Sequence, residues 1–478
     1  MKKTWKVLSL LLIASVLFSS VLSASVIRVD EGYLNQLYDF ISSMYNEDID
    51  RESVLGSSFN GLFTGTSPYS CFESVSLREE GTHGIGAALE KVRQGFMVSA
   101  VHPGSNAYNA GLKSGDIIFN ANRKSLALMN VKDFNHYLAG EARGIQLDVL
   151  DPGTGETRTL LLDAENIQYG AVEFFIHQET GFIRIHHYGP KTGETVSRAL
   201  SIFSASRVRN VILDLRDSIS MNVEAAAAVA DLLLPYGRIA QVRDKAFHAS
   251  FKQVSFTFHL AVNGNTAGAG EIIARAVEDK GTGMVYGSPT AGNSLYVKTY
   301  PVLSDDAYMK YAVQAGRTDI PGIMNHIRLN GIVPGPFETT GYLHMVESHV
   351  KDARGLEISR ANNIIPGIAT REDAVAYLDA DNRNRIWIRK DYEPGELSYD
   401  VFLAKKILSE AGYFKGELNV SYDANAVGAV NAFKKDMGLE QNGILDKDTQ
   451  KLLNFTMLAP KIFADPCILE ILEYIKGE

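Results

Sequence analysis

Val211-Ile212-Leu213-Asp214-Leu215 is a short aliphatic run, and the stretch Asn222 to Leu234 behind it is rich in Ala and Leu. The first reads as a strand and the second as a helix. Phe256 to Val262 and Ala267 to Glu278 repeat the pair. Strands separated by helical crossovers predict an α/β layer architecture from Gly181 to about Glu338, where a catalytic core is expected.

Around this core the chain is long: 478 residues, against about 150 per domain, suggests about three domains. Hydrophobic residues make up 45% and charged residues 22%, which excludes a disordered, collagen-like or multi-span membrane protein. Lys and Arg total 47 against 56 Asp and Glu, a net charge of −9, so no global basic field exists to attract nucleic acid. Cys71 and Cys467, near opposite ends, exclude a disulfide-stapled mini-domain and a Cys-based metal cluster. They read as separate buried thiols, with pairing across the fold as the alternative.

Lys2, Lys3 and Lys6 precede the uncharged run from Val7 to Val21, which ends in Ser23, Ala24 and Ser25. This is the layout of a secretory signal, and a retained single-span anchor is the alternative. Either places the bulk of the protein outside the cytoplasmic membrane, secreted or membrane-anchored and cell-wall associated or in an intermembrane space. From Tyr33 to Leu62, Leu34, Leu37, Phe40, Ile41 and Tyr45 recur at helical spacing, a small helical lead-in.

Gly84-Ile85-Gly86-Ala87 opens a series of short strands and turns that runs through Gly104-Ser105-Asn106-Ala107, Ala110-Gly111-Leu112 and Gly115-Asp116-Ile117. This order resembles a PDZ domain over residues 75–165. The resemblance implies that the loop of Gly84, Ile85, Gly86 and Ala87 presents backbone N–H groups to a peptide's terminal carboxylate while the peptide adds as a strand. A tight turn in a purely structural module is the alternative. The last module, residues 397–478, resembles a peptidoglycan-binding-type domain of three short helices, with Asn419 to Asn425 in place of the usual D-G-x-F-G segment. A structural or dimerisation role is its alternative. Asp379, Asp381, Asn382 and Asn384, in the connecting segment 351–396, lack calcium-loop spacing and read as a solvated turn.

Together these features resemble the carboxyl-terminal processing (tail-specific) serine peptidases, in particular their sporulation-associated bacterial branch. The markers are Gly181-Phe182-Ile183-Arg184-Ile185, Leu213-Asp214-Leu215-Arg216, Asn263 to Glu271, Gly287-Ser288-Pro289-Thr290-Ala291-Gly292 and Asn330-Gly331-Ile332-Val333-Pro334. The implied fold is an α/β, crotonase-like peptidase core (166–350) with an inserted PDZ β-domain and a small all-α C-terminal domain. A signal or anchor (1–24) and an N-terminal helical region (25–74) precede them.

That family uses a serine nucleophile, a lysine base and a glutamine that holds the lysine. Serine attacks poorly without a base, and lysine serves as one only when its pKa is depressed. In this sequence the nucleophile position is Gly268, the base position Asn293 and the orienting position Val297. Where the family continues N-N-P-G-G to supply oxyanion donors, this chain has Asp217-Ser218-Ile219-Ser220-Met221, and the bulk of Ile219 and Met221 is expected to fill the space. The expected site is therefore a small, neutral pocket with no intact catalytic residue.

Thr266, Ser294 and Lys298 are the candidates for a relocated active site. Lys298 should point away from Val297 on a strand, and neither hydroxyl has an evident base in sequence. Asp214, Arg216 and Glu271 read as loop-holding groups, and His186-His187 as a surface or partly packed pair in place of a metal site. The expectation is an exported pseudopeptidase, without metal or cofactor. It would bind the C-terminal or extended peptide of an exported protein, and peptidoglycan through the last module, as a scaffold or regulator. The resemblance implies a homodimer. An endopeptidase with a displaced nucleophile and a wall-anchored structural protein are the alternatives.

Overall fold

The computed structural model describes residues 57–58, 60–63, 65–74, 84–102, 105–141, 143–164, 171–335, 337–370, 386, 388, 390–457 and 459–477. The expected signal or anchor, the lead-in helix up to residue 56 and the polar loop at Asp379 to Asn384 lie outside the described residues. The chain divides into units Met1–Ser58 and Phe59–Glu478, and every element below belongs to the second. Among the described residues no helix is long and apolar enough to cross a membrane.

After β1 (Cys71–Ser74), the first domain comprises β2 (Ala87–Val92), β3 (Gly95–Val101), β4 (Ile117–Ala121), β5 (Lys124–Ser125), β6 (Ile145–Leu150) and β7 (Thr157–Leu162), with helices α1 (Asn106–Asn109) and α2 (Val131–Glu141). The sheet runs β2-β3-β4-β6-β7, with β5 on β4, so β2 is an edge strand. Strand β6 alternates as expected of a half-buried strand, with Ile145, Leu147 and Val149 turned inward. Phe96 and Phe134 stack at 5.2 Å in this domain's core. The sequence motif is explained locally: the Ser105 side chain caps α1 by accepting from Tyr108 N, and the Asp116 carboxylate accepts from Lys113 N at 2.7 Å to close the turn.

The second domain runs β8 (Val172–His177), β9 (Thr180–Ile185), α3 (Thr192–Ala205), β10 (Asn210–Asp214), β11 (Ile219–Ser220), α4 (Val223–Leu233), β12 (Gly237–Val242), β13 (Lys245–Ala249), β14 (Thr257–Val262), β15 (Ala267–Gly268), α5 (Ala269–Lys280) and β16 (Gly283–Gly287). It continues with β17 (Leu295–Leu303), α6 (Asp305–Ala315), α7 (Ile320–Leu329), β18 (Thr339–His349) and β19 (Ile368–Ala369). The main sheet has the order β19-β16-β14-β10-β9-β8 and is parallel except for the β8–β9 hairpin. Strand β10 is buried along Val211 to Asp214, which is why its sequence reads as a continuous apolar run. Asn222 caps α4 by accepting from Ala225 N.

Three capped helices, α8 (Tyr399–Glu410), α9 (Ala424–Asp436) and α10 (Lys447–Thr456), form the last module, followed by α11 (Ala459–Ile462) and α12 (Pro466–Gly477). Its two buried lysines are used the same way twice. Lys405 donates to Asn419 and to Asp423, the N-cap of α9; Lys434 donates to Asn442 and to Asp446, the N-cap of α10. The segment that departs from the D-G-x-F-G pattern thus supplies the partners of a buried ammonium.

This module is no tethered bead. Phe455 and Phe463 pack on Phe175 at 5.5 Å each, and one continuous apolar core runs from the β-sheet into α8 to α12. Asp465, fully buried, caps α12 through Ile468 N and pairs with Arg216 at 2.9 Å. Asp465→Ala breaks both contacts and leaves a buried guanidinium short of a partner, so chemical unfolding should show a loss of about 3 kcal/mol. A loss below about 1 kcal/mol would show that the module docks by its apolar face alone. Cys71 and Cys467 are separate buried thiols, which burial pushes up to about 12 and about 11.

Candidate functional site

Gly268 ends β15, immediately before α5. Its strand pairs in parallel with β11, Ile219 opposite Ala267 and Ser220 opposite Gly268. The backbone there is left-handed, φ +65°, and a Cβ at this position would lie 1.9 Å from the Ser220 carbonyl oxygen and 3.2 Å from Met221 Sδ. Only glycine fits so close an approach at that φ. The expected pocket is therefore corrected at this point, because the Ser220 backbone occupies it.

The neighbourhood is not neutral either. Glu271, on the first turn of α5, is completely buried, and its carboxylate accepts five hydrogen bonds. Oε1 takes Thr290 Oγ1 and Gly292 N, each at 2.6 Å; Oε2 takes Asn293 N and Ser294 Oγ at 2.9 Å and Gly268 N at 3.0 Å. One carboxylate thus ties Gly268, the expected nucleophile position, to Asn293, the expected base position, which joins through its main chain. The sequence reading of Glu271 as a loop-holding group agrees with this geometry. The local signal is its spacing, three residues after Gly268, as in a capping box.

Ile219 and Met221 fill space as expected, and Val297 packs with them. Their apolar cluster is completed by Tyr69, Ala267 and Leu295, and by Val92, Met97 and Ile117 from the PDZ-like domain. The PDZ-like sheet therefore packs directly on Ile219, Met221 and Val297. Ser114 Oγ also donates to the Asp217 carbonyl at 3.1 Å across this junction.

Sequence reasoning missed Glu90. As strand alternation requires, Ala87 and Leu89 pack into the PDZ-like core while Glu90 and Val92 face the second domain. Glu90 is half-buried as a residue, but its carboxyl is enclosed against Ser220 and the Met221 amide, and desolvation pushes it up to about 7. It thus meets the Met221 amide, in the segment where the sequence predicts bulk in place of oxyanion donors. No local signal marks it, because the partner lies more than a hundred residues away.

The relocation candidates are all engaged. Thr266 Oγ1, fully buried, donates to the Leu215 carbonyl at 3.0 Å. Lys298 turns away from Val297, its ammonium 4.9 Å from the Tyr300 ring centroid. Ser294 departs from expectation: it does have a carboxylate neighbour, Glu271, but the hydroxyl is fully buried, and Glu271 Oε2 already accepts from two backbone amides. Asp214 accepts from Arg184 Nη1 at 2.7 Å and from Arg216 Nε and Nη2 at 2.9 Å, a structural cluster. The histidine pair is corrected: His186 is buried, its Nε2 2.7 Å from Glu173 Oε2, while adjacent His187 is only partly buried.

In the PDZ-like domain, Ile85 and Gly86 turn their carbonyls inward to accept from Ala107 N and His102 N, each at 2.9 Å, with Gly86 at φ +80°. The loop of Gly84, Ile85, Gly86 and Ala87 thus leads into edge strand β2. The Lys91 ammonium donates to the Ala127 carbonyl at 2.7 Å, and burial brings it down to about 8.

Residues 179–334 match Peptidase family S41, residues 398–453 a putative peptidoglycan binding domain and residues 97–145 a PDZ domain. The chain is 25% identical over 465 residues to the carboxy-terminal processing protease CtpA of Bacillus subtilis, covering 93% of this chain and 90% of that protein. It is 21% identical over 457 residues to a probable CtpA-like serine protease of Staphylococcus saprophyticus, covering 92% and 84%. Among solved structures, the photosystem II D1 C-terminal processing protease aligns with 17% identity and a TM-score of 0.48, covering 73% of this chain and 91% of that one.

Proposed function

We propose that this chain, a CtpA-like member of Peptidase family S41, is an exported pseudopeptidase that captures polypeptide C-termini without cleaving them and is held at the cell wall by its last domain. The observation that carries the reading is the Ser220 carbonyl lying 1.9 Å from where a Cβ of residue 268 would sit. A side-chain nucleophile has no room there, and oxyanion stabilisation needs a free backbone donor, whereas the Met221 amide faces Glu90. Peptide capture would use the Gly84 to Ala87 loop and edge strand β2, with main-chain hydrogen bonds along the strand and the terminal carboxylate at the loop. A regulatory or scaffolding role beside an active relative is part of this reading, and a place in sporulation and assembly as a homodimer rest on the family resemblance alone.

The test uses the purified full-length protein with an unfolded exported substrate, a hydroxyl-reactive covalent probe and a tail peptide in free-acid and C-terminally amidated forms. The expected result is no turnover, no probe labelling, and binding of the free acid at least about ten-fold tighter than the amide, since a charge-assisted hydrogen bond is lost. Turnover abolished by Ser294→Ala or Thr266→Ala would overturn the reading in favour of a displaced nucleophile. Equal binding of both peptide forms would remove the C-terminal capture.

A further inference from the structure

The last domain carries an exposed aromatic step at the start of α8. The rings of Tyr399 and Phe402 stack with their centroids 5.4 Å apart and their planes 21° from parallel. Phe402 packs inward on the main core, whereas Tyr399 is 61% exposed. One face of the Tyr399 ring is thus backed by Phe402, and the other is held toward solvent. We propose that Tyr399 is a stacking platform for a pyranose ring of the peptidoglycan glycan strand. This rests on the reading of the last domain as the wall anchor, and adds which part of the wall is recognised, the sugar in place of the stem peptide, and by which surface.

Local structure sets the platform. Tyr399 follows Ser398, whose side chain caps α8 by accepting from Asp400 N and so fixes the direction in which the helix starts. Ser398 N donates to the Val420 carbonyl at 2.8 Å, and Leu397 pairs with Ser421 across an antiparallel bridge. The segment Asn419 to Asn425, which departs from the D-G-x-F-G pattern, is thereby laid along the approach to the ring. Leu397 is 72% exposed, and Leu418 and Val420 are exposed with it, while Ser421 sets a hydroxyl opposite Leu397.

Chemistry and size select the occupant. A β-linked pyranose gathers axial C–H bonds on one flat face, and these are drawn to the negative face of an aromatic ring as weak hydrogen bonds. A ring already stacked on its neighbour has little freedom left to lose on binding. A stable protein partner needs about 20 residues a side, far more than Leu397, Tyr399, Leu418 and Val420 supply. Lys390 and Lys405, from the flanking segments, are committed to Glu396 and Asp423, so neither is offered to the carboxylates of a stem peptide.

Co-sedimentation of the full-length protein with insoluble peptidoglycan, before and after amidase removal of the stem peptides, tests this. Wild type should bind both forms, and soluble β-1,4-linked N-acetylglucosamine oligomers should compete. Tyr399→Ala and Tyr399→Leu should each weaken binding by about ten-fold, the loss expected when a few C–H contacts to a ring disappear. Leucine keeps apolar bulk without a flat face, whereas Tyr399→Trp keeps the face and should bind at least as well as wild type. Because Tyr399 is mostly exposed, all three variants should unfold at the wild-type midpoint. Equal binding by wild type and Tyr399→Ala would overturn the platform and leave the wall anchor standing. Absence of wild-type binding would remove the anchor itself and the platform with it, and binding lost on removal of the stem peptides would overturn the sugar as the ligand.

Discussion

Gly268→Ser is expected to lower stability by about 3 to 5 kcal/mol and to restore no hydrolysis. The added Cβ meets the Ser220 carbonyl at 1.9 Å in a backbone with φ +65°. Strand β15 must separate from β11 to admit it, and a left-handed conformation is itself costly for a residue with a side chain. Adding Asn293→Lys and Val297→Gln should not rescue activity. Lysine at 293 would enter beside the Glu271 carboxylate, which keeps an ammonium protonated instead of poising it as a base, and glutamine at 297 would bury an amide among Ile219, Met221 and Leu295. Denaturant unfolding and mass-spectrometric detection of an acyl-enzyme check the two halves. A triple variant that is as stable as wild type and labels at residue 268 would sink the proposed pseudopeptidase reading at its root.

Glu271→Ala should cost more than about 4 kcal/mol, because each orphaned buried donor forfeits about 1 to 3 kcal/mol and five are left at once. Against a total stability of about 5 to 15 kcal/mol, the variant should be largely unfolded or insoluble at 37 °C. Glu271→Gln retains an acceptor for part of the set but turns an NH2 toward the rest, so an intermediate loss is expected, readable by the shift in denaturation midpoint. An alanine variant within about 1 kcal/mol of wild type would mean that water or a backbone shift satisfies these donors, and that Glu271 does not hold the loops.

The α/β order, the PDZ-like motif and the three-helix end were legible because each depends on local patterning: apolar runs without alternation in β10, Ser105 and Asp116 at turn positions, Ser398, Asp423 and Asp446 at helix caps. The close approach that only a glycine at 268 admits was not legible, because it depends on the Ser220 carbonyl, brought there by strand pairing. Nor was the His186 environment, since the pair lies just beyond the end of β9, and the sequence does not say that Glu173 of β8 faces the first of them. The fusion of the last module with the core was equally hidden, because Arg216 and Asp465 are partners separated by 249 residues.

From the chain of letters alone came the side-chain chemistry at the expected site: no hydroxyl at Gly268, no amine at Asn293, no amide at Val297, and bulk at Ile219 and Met221. Side-chain chemistry is a property of each residue and needs no fold to be read. Folding alone decided that the space around Gly268 is closed, by the Ser220 carbonyl against Gly268, by five donors converging on Glu271, and by Glu90 reaching in from another domain. Those contacts arise where distant segments pack, and close packing leaves their distances to the whole tertiary arrangement, beyond the reach of any local pattern.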